Sequence, residues 1–181
     1  YVLVDAAERK AKIAAQIAAA AEAAGMQADI PDGLLDEVNC LVEWPSAVLC
    51  RFDAGFLRVP HEALVSTMQA NQKFFALKTA EGALSEHFVG IANIESRDVA
   101  QIRKGYERVI RPRFADAQFF FDEDLKQGIA SMADGLASVT YQQKLGSYAD
   151  KTARIAALAE DIAARLGMDA AQARRAAALS K

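Results

Sequence analysis

Three short apolar runs, Ala47 to Phe52, Phe74 to Lys78 and Phe88 to Ile94, sit among helix-period segments and limit the possible folds more than any other feature. The first is bounded by Pro45 and the turn Asp53-Ala54-Gly55, so it reads as a strand. The other two flank Glu81-Gly82, as in an antiparallel hairpin with a longer loop. Between them, Pro60 stands at a helix N1 position, and His61, Leu64, Val65 and Met68 follow at helical spacing, which predicts a helix to about Asn71. Three strands with intervening helices make a small α+β layer, an antiparallel sheet packed with helices.

The flanks are helical. From Asp5 to Ala24 the chain is almost all alanine and charge, with Ile13 and Ile17 four apart and Gly25 as a stop. After Pro31-Asp32-Gly33, the residues Leu34, Leu35, Val38, Leu41 and Val42 recur at helical spacing and end before Pro45. Ser96 or Asp98 can cap a long helix to about Ile110, with Val99, Ile102, Tyr106 and Val109 on its inner side. Pro112 should kink or restart it, and the rings of Phe119, Phe120 and Phe121 should mostly be core. Ile129 to Val139 reads as a further helix and Tyr141 to Tyr148 as a connector. A helix over Asp150 to Leu166 follows, with Ile155, Leu158, Ala159 and Ile162 on one face, and Asp169 caps the last one. The expected division is an α+β module over residues 1–140 and a mainly helical segment over 141–181.

With 181 residues, 52% hydrophobic and 25% charged, the chain has a globular composition that can bury a core. Its net charge of −3 gives no overall attraction to nucleic acid, so RNA binding would need a local basic patch. The two cysteines, Cys40 and Cys50, form no CxxC pair and are too few to staple a secreted domain, which fits a reducing cytoplasm. The alanine-rich start is interrupted by Gln16 and Glu22 and falls short of the ~20 apolar residues of a membrane span. The chain starts at Tyr1 and stops in a helical pattern at Ala178-Leu179-Ser180-Lys181, so both ends are expected to be cuts in a longer protein.

One residue group points to binding. At about 100° per residue, Arg97, Lys104, Arg108 and Arg111 fall in a narrow sector of the long helix, facing away from its apolar side. Four cations along roughly 20 Å could meet several phosphates; the plainer alternative is a solvated face with partners such as Glu107. Nothing comparable supports catalysis or metal binding. His61 and His87 lack metal-ligand spacing, there is no nucleophile elbow, and Lys144-Leu145-Gly146-Ser147 lacks the spaced glycines of a phosphate loop. Asp122, Glu123 and Asp124 are consecutive and diverge on a helix. Trp44 and the phenylalanine run could stack on bases, but core packing accounts for them more simply.

Several segments in order resemble one family. Leu35-Asp36-Glu37-Val38 with Leu41-Val42-Glu43-Trp44-Pro45 begins the series, followed by Phe56-Leu57, Val59-Pro60 and Glu62. Met68 with Gln72-Lys73-Phe74-Phe75, then His87-Phe88 with Asn93-Ile94-Glu95-Ser96 and Asp98, continue it. Glu107-Arg108-Val109, Arg111-Pro112-Arg113, Asp116-Ala117 and Phe119-Phe120 come next, and Lys144-Leu145-Gly146 with Asp150-Lys151, Arg154 and Ile155 closes it. Over about residues 5–181 this resembles the beta subunit of bacterial two-subunit glycyl-tRNA synthetase, departing at Asn71, where histidine is usual, and at Tyr106, where asparagine is expected.

The resemblance implies a cytoplasmic ligase whose alpha subunit holds the class II core and uses ATP and Mg to charge tRNA-Gly with glycine. The beta subunit helps to bind tRNA. This stretch would be a non-catalytic middle module similar to the B3/B4 domain of phenylalanyl-tRNA synthetase, then the start of an HD-like helical domain. No HD dipeptide occurs, so phosphohydrolase chemistry does not carry over. The implied partners are the alpha subunit and tRNA-Gly, with neither DNA nor a membrane, and the segment itself needs no cofactor, metal or catalytic residue. Two rival readings are a purely structural assembly module without RNA contact and a small-molecule or hydrolytic domain.

Overall fold

A computed structural model describes residues 2–181, which form a mixed α+β fold with small antiparallel sheets among helices and a helical C-terminal region. The chain divides into two compact units, Tyr1–Phe121 and Asp122–Lys181.

In the first unit, α1 (Ala6–Ala23) starts where Asp5 accepts the Glu8 amide at 2.8 Å and is followed by Gly25 at φ +69°, a conformation natural to glycine. The two-residue strand β1 (Gln27–Ala28) comes next, then α2 (Asp32–Leu41), and β2 (Ser46–Arg51) after the Pro45 break. A 3-10 turn over Ala54–Arg58 leads to α3 (His61–Ser66), with Pro60 as its N-cap rather than its first helical residue. A π-helical turn, Thr67–Asn71, extends it, and Lys73 at φ +59° closes the end while the Phe74 amide bonds the Met68 carbonyl. The hairpin is formed by β3 (Phe75–Lys78) and β4 (Leu84–Ala92).

Sheet order is β1-β3-β4-β2, antiparallel throughout, so β1 adds a fourth strand to the three expected from the sequence. Alternation sends successive residues to opposite faces. Phe75, Leu77 and Val89 meet Ile13, Ile17, Leu35 and Val38 from α1 and α2. On the other face, Val48, Cys50, Ala76 and Phe88 meet Leu64 and Met68, together with Ile110 and Phe114 of α4 (Val99–Gln127). The sheet is thus covered on both sides, and Phe114 sits edge-on to Phe52 with ring centres 4.8 Å apart.

Pro112 does not divide α4, which runs through it. The proline removes the bond to the Arg108 carbonyl, but both residues are exposed, so water can take that carbonyl. The phenylalanine run also departs from expectation. Phe119 and Phe120 are 59% and 63% exposed and stack edge-on to each other, and only Phe121 packs against the core. Three consecutive helical residues span about 200°, so one cluster cannot bury all three.

The second unit contains α5 (Ile129–Met132), a 3-10 turn over Ala133–Ser138, the hairpin β5 (Thr140–Gln142) and β6 (Gly146–Ser147), then α6 (Tyr148–Arg165) and α7 (Ala170–Ala178). The hairpin replaces the expected connector. Ser147 and Asp150 cap α6 reciprocally, which gives the 144–147 segment its structural role. Thr152, Ala156 and Ala163 are the buried residues of α6, whereas Leu158 and Ile162 face outward, the reverse of what their hydrophobicity suggests.

Candidate nucleic-acid interface

Helix α4 starts at Asp98, whose carboxylate accepts the amides of Ala100 at 3.1 Å and Gln101 at 3.3 Å. Its inner side carries Ile102, Tyr106, Ile110 and Phe114 against the first core cluster. Val99 and Val109 were assigned to that side by periodicity, but they are 41% and 44% exposed. The buried stripe runs one side of them, along the i, i+4 row from Ile102 to Phe114.

Three polar contacts fix the helix on the sheet. Arg103 donates from Nε to the Leu49 carbonyl at 2.8 Å, the Arg51 amide donates to Glu107 Oε1 at 2.9 Å, and the Tyr106 hydroxyl donates to the Ile91 carbonyl at 3.2 Å. These anchors are absent from any periodicity argument, because their partners are backbone groups of β2 and β4. Arg103 is chemically as suited to phosphate as its neighbour Lys104, yet its guanidinium is already engaged by the sheet.

All four stripe residues are exposed. Lys104, Arg108 and Arg111 lie on α4, whereas Arg97 sits in the turn before it. The helical part of the stripe is therefore three cations along about 10 Å. Among the described residues, none of the three makes an ion pair or side-chain hydrogen bond. Glu107, the partner that the sequence offered them, accepts the Arg51 amide. Arg111 also borders a polar cleft of ≈ 500 Å³ that it shares with Arg51, Asp53, Glu86 and Glu107.

Other candidates are brought into structural contacts. Lys12 Nζ lies 3.9 Å from the Trp44 ring centre, occupying one of its faces. Lys73 pairs with Glu37 at 2.8 Å, and Glu123 with Lys126 at 2.6 Å. His61 lies 3.3 Å from Glu62. Cys50 is buried, and desolvation pushes its thiol up to about 12, with Glu107 adding to the shift. Among the described residues no three His, Cys, Asp or Glu side chains converge as a metal site, and no helix is long and apolar enough to cross a membrane.

Comparison with known proteins accounts for the whole stretch. The sequence profile of the glycyl-tRNA synthetase beta subunit matches residues 1–181. The chain is 63% identical over its full length to the glycine–tRNA ligase beta subunit of Xanthomonas campestris pv. campestris, of which it covers 26%. The corresponding protein of Xylella fastidiosa is 58% identical with 25% covered, and that of Chromohalobacter salexigens 51% identical with 26% covered. The chain thus spans about a quarter of the length of these relatives, and it belongs to the glycyl-tRNA synthetase beta subunit family, a ligase family.

Proposed function

We propose that this segment is a non-catalytic part of the beta subunit that presents a basic helix face to tRNA-Gly and helps to assemble the cytoplasmic synthetase. The alpha subunit would supply the ATP- and Mg-dependent charging chemistry. The observation that carries the reading is that Lys104, Arg108 and Arg111 stand exposed and unpaired on a helix locked to the sheet by Arg103, Tyr106 and Glu107. The backbone that carries these cations is already ordered, so binding costs only side-chain freedom, and each phosphate contact releases counterions.

The test uses the assembled alpha–beta enzyme and the triple variant Lys104→Ala, Arg108→Ala, Arg111→Ala, with tRNA-Gly affinity measured across a salt series. Loss of three phosphate contacts should make the slope of log Kd against log salt shallower by about 2 to 3, since each contributes roughly 0.7 to 0.9. An unchanged slope would remove the stripe from the RNA.

A second reading has its own support. Leu158 and Ile162 on α6 and Leu166, which caps its C-terminus, recur every four residues and are all exposed, as are Phe119 and Phe120 on α4. Such apolar rows favour a role in assembly. That role stands alone if the triple variant binds tRNA as the unmodified enzyme does.

A further inference from the structure

Beside the basic stripe lies a second cleft, of ≈ 360 Å³, between α2, β4 and α4. Leu41, Phe74, Ile91 and Val109 form apolar walls, and Tyr106 lines it between them. Leu41 is 61% exposed at this site although it is a large apolar residue. The Tyr106 ring is held in place: its hydroxyl bonds the Ile91 carbonyl, and its ring centre is 5.1 Å from that of Phe74. Val38 and Val42 add to the apolar lining, Lys73 borders it with its ammonium held by Glu37 at 2.8 Å, and two amides also line it. Asn93 uses its oxygen on the Glu43 and Trp44 amides at 2.8 and 2.9 Å, leaving its NH2 as a donor, and Gln72 offers both a donor and an acceptor.

The approach from the stripe to this cleft crosses a glycine. At about 100° per residue, Gly105 lies about 60° round the helix from Arg108, and Val109 lies about 40° further. A glycine inside a helix is destabilising relative to alanine. Packing does not require one here, because a Cβ at Gly105 would meet nothing within 4 Å. The chain leaves bare backbone on the strip of α4 that separates exposed cations from an apolar cleft.

Building on the tRNA-facing reading, we infer that the cleft takes the base of one unpaired RNA nucleotide, whose flanking phosphates lie along Lys104 and Arg108 as its sugar passes over Gly105. Each part of the site has a counterpart in that ligand. Apolar walls and an aromatic ring accept a π face, the free amide groups suit a base edge, and the unpaired cations complement phosphates. The volume is at the small end of ligand sites, of roughly 300 to 1,000 Å³, as a single nucleotide requires.

The test is Gly105→Leu in the assembled alpha–beta enzyme, with Gly105→Ala as a control for helix propensity. Three RNAs serve as probes: tRNA-Gly, a single-stranded oligouridylate, and a blunt duplex of the same length. Gly105→Leu should weaken the first two about tenfold, a loss within the range of one stacked base, with the salt slope unchanged and the duplex unaffected. Leucine favours helix over glycine, so the variant should unfold no earlier than the unmodified enzyme. Unchanged affinity for the oligouridylate, or equal weakening of all three RNAs, would overturn the inference. So would weakened alpha–beta association with RNA binding intact, which would assign the cleft to a protein side chain. If the triple stripe variant flattens the salt slope while Gly105→Leu has no effect, the cleft proposal fails and the stripe reading stands. If the triple variant has no effect, the stripe reading fails first.

Discussion

Gly90→Ala should destabilise the first unit by about 2 kcal/mol, and the geometry allows the figure to be built up. A Cβ at Gly90 would stand 2.6 Å from Cε2 and 2.7 Å from Cδ2 of Tyr106, and 3.0 Å from Cε1 of Phe74. Ordinary carbon contacts are about 3.5 to 4.0 Å, so the tyrosine ring would have to move by about 1 Å. Phe74 cannot give way freely, because its ring lies 4.9 Å from that of buried Phe88. Tyr106 can move toward the cleft it lines, but then strains its 3.2 Å hydrogen bond to Ile91. Overpacking costs about 1 to 3 kcal/mol and the hydrogen bond about 1, offset by the 0.5 to 1 that alanine gains over glycine within a strand. Urea unfolding followed by Trp44, the single tryptophan, reads this unit directly. Tyr106→Val removes the obstructing ring, so the double variant should be at least 1 kcal/mol more stable than the sum of the two single losses implies. A neutral Gly90→Ala, or strict additivity, would show that the close approach of α4 to β4 is not as described.

The phenylalanines of α4 should behave oppositely despite their similar sequence setting. Phe114→Ala, at a fully buried ring, should cost about 3 to 5 kcal/mol in the same unfolding experiment, whereas Phe120→Ser should stay within about 0.5. The two cysteines should differ in rate with a thiol reagent at pH 8. Exposed Cys40 reacts promptly, and Cys50, buried and pushed up to about 12, reacts only on unfolding. Two fast thiols in the native chain would contradict the packing of β2.

Much of the fold was legible because its signals are local. Asp5, Gly25 and Pro45 mark element ends through their own backbone chemistry, and β3 and β4 show as apolar runs on either side of Glu81-Gly82. Strand β1 was not legible: two residues carry no period, and they form a strand only because β3 lies alongside. Burial on a helix depends on the partner. Against alanine-rich α7, α6 buries Ala156 and Ala163, half-buries Ile155 and Ala159 and leaves Leu158 and Ile162 outward, so ranking by hydrophobicity placed only half of the expected face.

The same distinction runs through the candidate site. Charges on an outer helix face can be read from spacing, as Lys104, Arg108 and Arg111 were, but spacing cannot separate Lys104 from Arg103, which the Leu49 carbonyl engages. The cleft was beyond reach because its walls come from residues as distant as Leu41 and Val109. Gly90 and Gly105 make the point most sharply, since each looks like a weak position within a regular element. At Gly90 the neighbouring tyrosine leaves no room for a side chain, which explains the glycine from inside the fold. At Gly105 there is ample room and no internal neighbour, so if its helix-weakening glycine has a reason, that reason lies outside this chain.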